Sequence, residues 1–233
     1  MMVEPSPPQA FIFDFDGLIM DTEVATYEAW RELYENHGQT LPMERWAQCV
    51  GSDFGVYDPK AELETLVGRQ LDWTPIHAAR RERVMKILSD YDALPGVRAR
   101  LEEAWEAGIP CAVASSSPRW WVEHWLNHLA LFPLFQQVTT LDDTGKVKPD
   151  PSLFLHAAEK MKRHPADVVV LEDSLNGLRA ALSAGMRCVV IPGVLTQHCD
   201  FTGAWRRYQS MEEFALGDWL APKDRTLELE GAS

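Results

Sequence analysis

The chain has 233 residues, 46% hydrophobic and 24% charged, enough to bury one large domain or a domain with an inserted module. Its 22 Lys and Arg against 35 Asp and Glu leave a formal charge of −13, with no basic block, which disfavours nucleic acid and anionic membranes as partners. No stretch approaches the length of a membrane span, and an acidic protein acting on a small anionic metabolite needs a local positive centre from a metal ion, a lysine or helix N-termini.

Residues 1–9 are Pro-rich, with neither a basic nor an apolar signal region. Cys49, Cys111, Cys188 and Cys199 are scattered without a C-x-x-C pair, which fits neither a zinc site nor a disulfide framework and points to a reducing compartment, the cytoplasm. The first apolar run, residues 10–13, reads as a strand that ends in Asp14-Phe15-Asp16-Gly17. Two carboxylates two positions apart at a strand end are placed where open α/β sheets collect ligands, as nucleophile, proton shuttle or metal ligand.

From about residue 23 to residue 92 no strand pattern appears. Stretches 23–37, 43–49, 59–68 and 75–91 carry apolar positions at three- and four-residue spacing, an all-helical insertion that can act as a lid. Trp30 on its first helix reads as a core side chain, and Arg80, Arg81 and Arg83 as a solvated helix face. Leu94-Pro95-Gly96 is a turn signal that reopens the α/β pattern. Helices are then expected at 97–107, 120–129, 152–162 and 175–184, alternating with strands at 110–114, 138–141, 168–171 and 188–191. The fold class is therefore α/β: a doubly wound, Rossmann-like parallel sheet formed by 1–22 and 93–233, with a helical cap over 23–92. The charged tail from about residue 221 is expected to fray.

Three more strand ends carry polar clusters. Ser115-Ser116-Ser117 precedes Pro118 and offers hydroxyls and backbone N–H groups to a phosphate, or ordinary helix caps. Lys148, stiffened by Pro149, is preferred over Lys146 as the point charge facing a transferring phosphoryl group. Glu172-Asp173-Ser174 brings a second acidic pair, and carboxylates from two strand ends with a backbone carbonyl and waters suffice for a hard cation such as Mg²⁺. Trp121 and Trp125, four apart on one helix, read as packing. His198 is assigned no role.

Taken in order, these four clusters resemble the motifs of the haloacid dehalogenase-like phosphotransferase superfamily. Asp14-Phe15-Asp16-Gly17 with Asp21-Thr22-Glu23 is similar to the first, Ser115 to the second, Lys148 to the third and Glu172-Asp173 to the fourth. The helical insertion, and Asp200-Phe201-Thr202-Gly203-Ala204, resemble the β-phosphoglucomutase-like branch. The resemblance implies that Asp14 attacks phosphorus to form an aspartyl-phosphate, while Asp16 protonates the leaving oxygen and later activates water. It implies that Asp14, the Asp16 carbonyl and Asp173 hold Mg²⁺, with Glu172 nearby or bound through water, and that Ser115, the Ser116 amide and Lys148 bind the phosphoryl oxygens. Thr26 stands where the mutases carry a histidine, and Val50-Gly51-Ser52-Asp53-Phe54 offers no arginine. Hydrolysis of a small phosphorylated metabolite, a sugar phosphate or phosphoglycolate, is therefore expected before mutase activity. A dehalogenase would not need Asp16 or the acidic pair. A non-catalytic phosphometabolite-binding protein is the alternative outside enzymes, and a monomer or weak homo-oligomer is expected.

Overall fold

The computed structural model describes residues 7–46 and 57–219. The remainder of the predicted helix beyond Trp46, the loop 50–54 and the tail from residue 220 lie outside the described residues.

Six parallel strands form one sheet: β1 (Ala10–Phe13), β2 (Cys111–Ala114), β3 (Gln137–Thr139), β4 (Val168–Glu172), β5 (Arg187–Val190) and β6 (Arg206–Arg207). Their spatial order is β3-β2-β1-β4-β5-β6. The chain winds outward from β1 through β2 to β3, then crosses to the other side of β1 and continues through β4 to β6, so the order reverses between β1 and β4. That switch point leaves a crevice at the carboxyl ends of the strands.

β1, β2 and β4 are buried on both faces and, apart from Glu172 at the end of β4, apolar, as a parallel sheet covered by helices requires. Phe11 and Phe13 join one core cluster, while Ala10 and Ile12 join the other on the opposite face. The covering helices are α5 (Val97–Glu106), α6 (Arg119–His128), the single turn α7 (Leu141–Thr144), α8 (Ser152–Lys160) and α9 (Leu175–Ser183). The apolar run 138–141 ends as a strand at Thr139 because Thr140 and Asp143 form a capping box that starts α7. β6 is two exposed arginines with no apolar signal; its backbone pairing to β5 alone defines it.

Between β1 and α5 lie α1 (Thr22–Asn36), α2 (Met43–Trp46), α3 (Pro59–Val67) and α4 (Trp73–Leu88). Asp21, Asp58 and Asp72 cap the starts of α1, α3 and α4 by accepting backbone N–H bonds. These helices form the cap and bury their own aromatic cluster, Tyr27, Trp30, Tyr34, Trp46 and Tyr57, with Trp73 packed against it. Trp30 is thus a core side chain, with the Arg80 guanidinium 4.8 Å above its ring. Arg83 is held at 2.6 and 2.7 Å by Glu32, so of the three arginines it is committed to an ion pair. Among the described residues no helix is long and apolar enough to cross a membrane.

Candidate active site

The chain leaves β1 through Asp14, whose N–H donates to Leu171 of β4 at 2.9 Å. Phe15 turns into the core between the two carboxylates. Gly17 then reverses the chain at φ +87°, its N–H donating to Met20 at 2.8 Å. A Cβ at Gly17 would lie 2.4 Å from Asp173 Oδ2, so both the backbone angle and the contact with the second acidic cluster demand glycine.

Asp14, Lys148, Glu172 and Asp173 converge at the switch point, all buried. Lys148 Nζ donates to Asp14 Oδ1 and, at 2.5 Å, to Glu172 Oε1. Its backbone N–H donates to Ser116 Oγ at 3.1 Å, which ties the lysine loop to the strand end of β2. Lys146, by contrast, is exposed and paired with Asp150 at 3.0 Å. Glu172 also receives the N–H groups of Asp173 (3.0 Å) and Ser174 (2.9 Å) and the Ser174 hydroxyl (2.9 Å). Ser174 in turn caps α9 by accepting from Gly177 N–H at 3.0 Å. The first turn of α9 passes so close over Glu172 that a Cβ at Gly177 would sit 1.8 Å from its carboxyl carbon.

One ammonium faces three carboxylates here. Burial, followed by repulsion from Glu172 and Asp14, pushes Asp173 well above its usual range. Burial pushes Asp14 up to about 8 against the pull of Lys148, with Glu172 and Asp16 adding repulsion. Burial opposes charge on Lys148, but Asp14 and Glu172 together hold its pKa above the usual value. Oxygens of Asp14, Glu172 and Asp173 lie within 4.8 Å of one another. No described donor reaches the Asp173 carboxylate. A buried carboxylate without a donor, beside a surplus of like charge, suits an oxygen-seeking divalent cation.

Asp16 is held separately. Its Oδ1 accepts from Thr22 Oγ1 (2.8 Å) and Trp121 Nε1 (2.9 Å), and its Oδ2 from Ser115 Oγ (3.1 Å) and Ser117 Oγ (2.7 Å). The serines are therefore not caps of α6; Pro118 occupies that position, and Ser115 Oγ instead accepts from Ser117 N–H at 2.9 Å. Trp121 corrects the packing assignment drawn from its spacing: Trp125 is buried core, whereas the Trp121 indole is a hydrogen-bond donor to the site. The sequence placed Thr22 in the first motif and Ser117 in the serine cluster, but it held no sign that either, or Trp121, would donate to Asp16.

A cavity of about 230 Å³ opens beside Asp173 and Gly17, bounded by Glu23, Leu94, Pro192 and Thr196, between the two segments that join cap to core. Burial and the charges of Asp16 and Asp21 raise Glu23 to about 7. Across the same boundary, Arg81 of α4 lies 5.3 Å over the ring of Trp120 of α6.

A model of the family described as haloacid dehalogenase-like hydrolase matches residues 11–191. The Bacillus subtilis (strain 168) protein named "Putative phosphatase YhcW" is 40% identical, over 89% of this chain and 94% of that protein. Fructose-1-phosphate phosphatase YqaB of Escherichia coli (strain K12) is 33% identical, over 76% of this chain and 93% of its own. A solved structure titled "putative beta-phosphoglucomutase from Thermotoga maritima" superposes with a TM-score of 0.74 at 28% identity, covering 88% of this chain and 95% of that one. The chain belongs to the haloacid dehalogenase-like hydrolase family, in its β-phosphoglucomutase-like branch. It is an enzyme, a hydrolase of the phosphoric monoester class that these phosphatase relatives share.

Proposed function

We propose that the protein is a Mg²⁺-dependent phosphatase acting on a small phosphorylated metabolite, of the sugar phosphate or phosphoglycolate type, through an aspartyl-phosphate on Asp14. The observation that carries this reading is the buried convergence of Asp14, Lys148 and the donor-free Asp173, with Asp16 two residues from Asp14 but held apart from that cluster. It sets a nucleophile beside a fixed cation and a separate proton carrier.

In the first half, an Asp14 oxygen attacks phosphorus, the bond to the leaving oxygen breaks, and the Asp16 proton goes to that oxygen. In the second half, Asp16, now a carboxylate, takes a proton from water as the water oxygen attacks phosphorus, releasing Asp14 and inorganic phosphate. Lys148 and the hydroxyl of Ser115, with the Ser116 amide, neutralise and orient the phosphoryl oxygens. Asp14, the Asp16 carbonyl and Asp173 are the groups that would hold Mg²⁺, whose charge lets an anionic phosphate approach an anionic nucleophile. Glu172 already accepts four hydrogen bonds, so it serves that set through its charge and by fixing Lys148.

Hydrolysis is preferred over phosphoryl migration because Thr26 donates its hydroxyl to the Thr22 carbonyl at 2.8 Å and supplies no acid or base to a sugar. The sugar phosphate class draws support from the fructose-1-phosphate phosphatase relative. Cap boundaries at 23–92, a cytoplasmic location and a monomeric or weakly associated state complete the reading, the free thiols of Cys111, Cys188 and Cys199 fitting a reducing compartment.

Phosphate release from an aryl phosphate, then from a panel of sugar phosphates and phosphoglycolate, tests it. Turnover that requires Mg²⁺ and falls by about 10⁴-fold or more in Asp14→Asn is expected. No release from any member of the panel would favour a binding protein, and conversion of β-glucose 1-phosphate to glucose 6-phosphate would establish a mutase.

A further inference from the structure

The mechanism asks Asp16 to serve two oxygens in turn, the leaving group's and then the water's. In the structure its carboxylate is saturated by four donors, about as many as a carboxylate has lone-pair positions. Three of these are hydroxyls, which rotate and can accept as well as donate, so a substrate oxygen or water can take their place. Two of the three, Ser115 and Ser117, sit on the strand-end loop assigned to the phosphate, and the third, Thr22, is the first residue of α1.

The fourth donor is of another kind. An indole N–H only donates, along a direction set by a rigid ring. The Trp121 ring is wedged edge-to-face between Trp120 and Trp125, each with centroids 5.7 Å away. Trp125 is buried in the core cluster, so that side of the wedge is anchored in the sheet domain. The N–H reaches Asp16 Oδ1 at 2.9 Å, leaving Oδ2 to the two serine hydroxyls.

We propose that Trp121 is a positioning residue for Asp16: its indole N–H pins one carboxylate oxygen so that the other keeps its aim while the hydroxyl donors are exchanged for substrate and water. The role rests on the acid/base assignment of Asp16 made above. It acts on the chemical step, because the indole N–H bonds to Asp16, the group assigned to proton transfer.

The test uses the full chain with Trp121 replaced by 3-benzothienylalanine, which keeps the bicyclic shape and lacks only the N–H, alongside Trp121→Phe. With p-nitrophenyl phosphate and Mg²⁺, kcat should fall about tenfold in both variants, while KM stays within about threefold. In protein labelled with ¹⁵N-tryptophan, the Trp121 indole resonance should shift in Asp16→Ala, a change that a purely packing role would not produce. Wild-type kcat in the benzothienyl variant, a loss confined to KM, or an indole resonance indifferent to Asp16→Ala would each overturn the proposal. Asp16→Ala as active as wild type would instead overturn the acid/base reading and the positioning role with it. An inactive Asp16→Ala beside a fully active benzothienyl variant removes the positioning role alone.

Discussion

At the carboxyl end of the sheet, Asp14, Glu172 and Asp173 crowd around one ammonium, Lys148, and the strands, the α9 cap and the β2 loop hold them there against their own repulsion. In the cap, Tyr27, Trp30, Tyr34, Trp46 and Tyr57 share an aromatic interior, and charge is moved outward into pairs such as Arg83–Glu32 and Arg31–Glu28. The sheet end stores electrostatic cost where chemistry needs it; the cap is stabilised by apolar area, which is indifferent to protonation. Substitutions in the first region should therefore respond to pH and metal, and those in the second should not.

Of the substitutions that contrast the two regions, Lys148→Met should have the largest combined effect on stability and activity. It leaves Asp14 and Glu172 buried without their cation, so urea unfolding should show a loss of about 3–5 kcal/mol, and aryl phosphatase activity should fall by about 10²–10³-fold. The stability loss should shrink as the pH is lowered and the carboxylates take up protons; a pH-independent loss would place the lysine in the same class as a cap residue. Trp30→Ala is the cap counterpart. Removing its ring from contact with Tyr34, Trp46 and Trp73 should cost about 3–5 kcal/mol, and the comparison breaks if that cost varies with pH or Mg²⁺.

Gly17→Ala should be smaller in stability, about 1–2 kcal/mol for the left-handed backbone, but it presses on Asp173. Calorimetric titration should therefore show weakened Mg²⁺ binding, and unchanged binding would separate the turn from the metal site. The smallest effect is a shift in melting temperature. Asp14 is raised to about 8 and Asp173 is also raised, so the folded state holds protons that the unfolded chain releases near pH 4. The stability these protons confer is present at low pH and is lost as pH rises toward about 8. In chelator the melting temperature should thus fall between about pH 5 and about pH 8, and Mg²⁺ should raise it more at the upper end. A larger Mg²⁺ effect at the lower end would contradict the assignment.

Much of this region was legible because each polar cluster closes an apolar run: Asp14 after β1, Ser115 after β2 and Glu172 within the last position of β4. Lys148 was readable from its proline, and the structure separates it from the exposed Lys146. What escaped were residues whose role is set by a partner far along the chain. Trp121 sits on α6 at helical packing distance from Trp125, and nothing in that spacing reveals an indole N–H aimed at Asp16. Gly177 reads as an ordinary helical residue until Glu172 is seen beneath it. β6 has no apolar pattern because its arginines are exposed and only its backbone is paired.

The sequence by itself determined the alternation of strands and helices, the helical insertion and the kinds of side chain at each strand end, because periodicity, turn residues and local capping act over a few positions. Only the tertiary structure decided that Lys148 spans Asp14 and Glu172, that Asp173 is left without a donor, and that Asp16 is pinned by Trp121 from 105 residues away. Hydrogen bonds and buried charges depend on direction and dielectric at distances of a few ångströms, and those are fixed when the sheet brings its strand ends together.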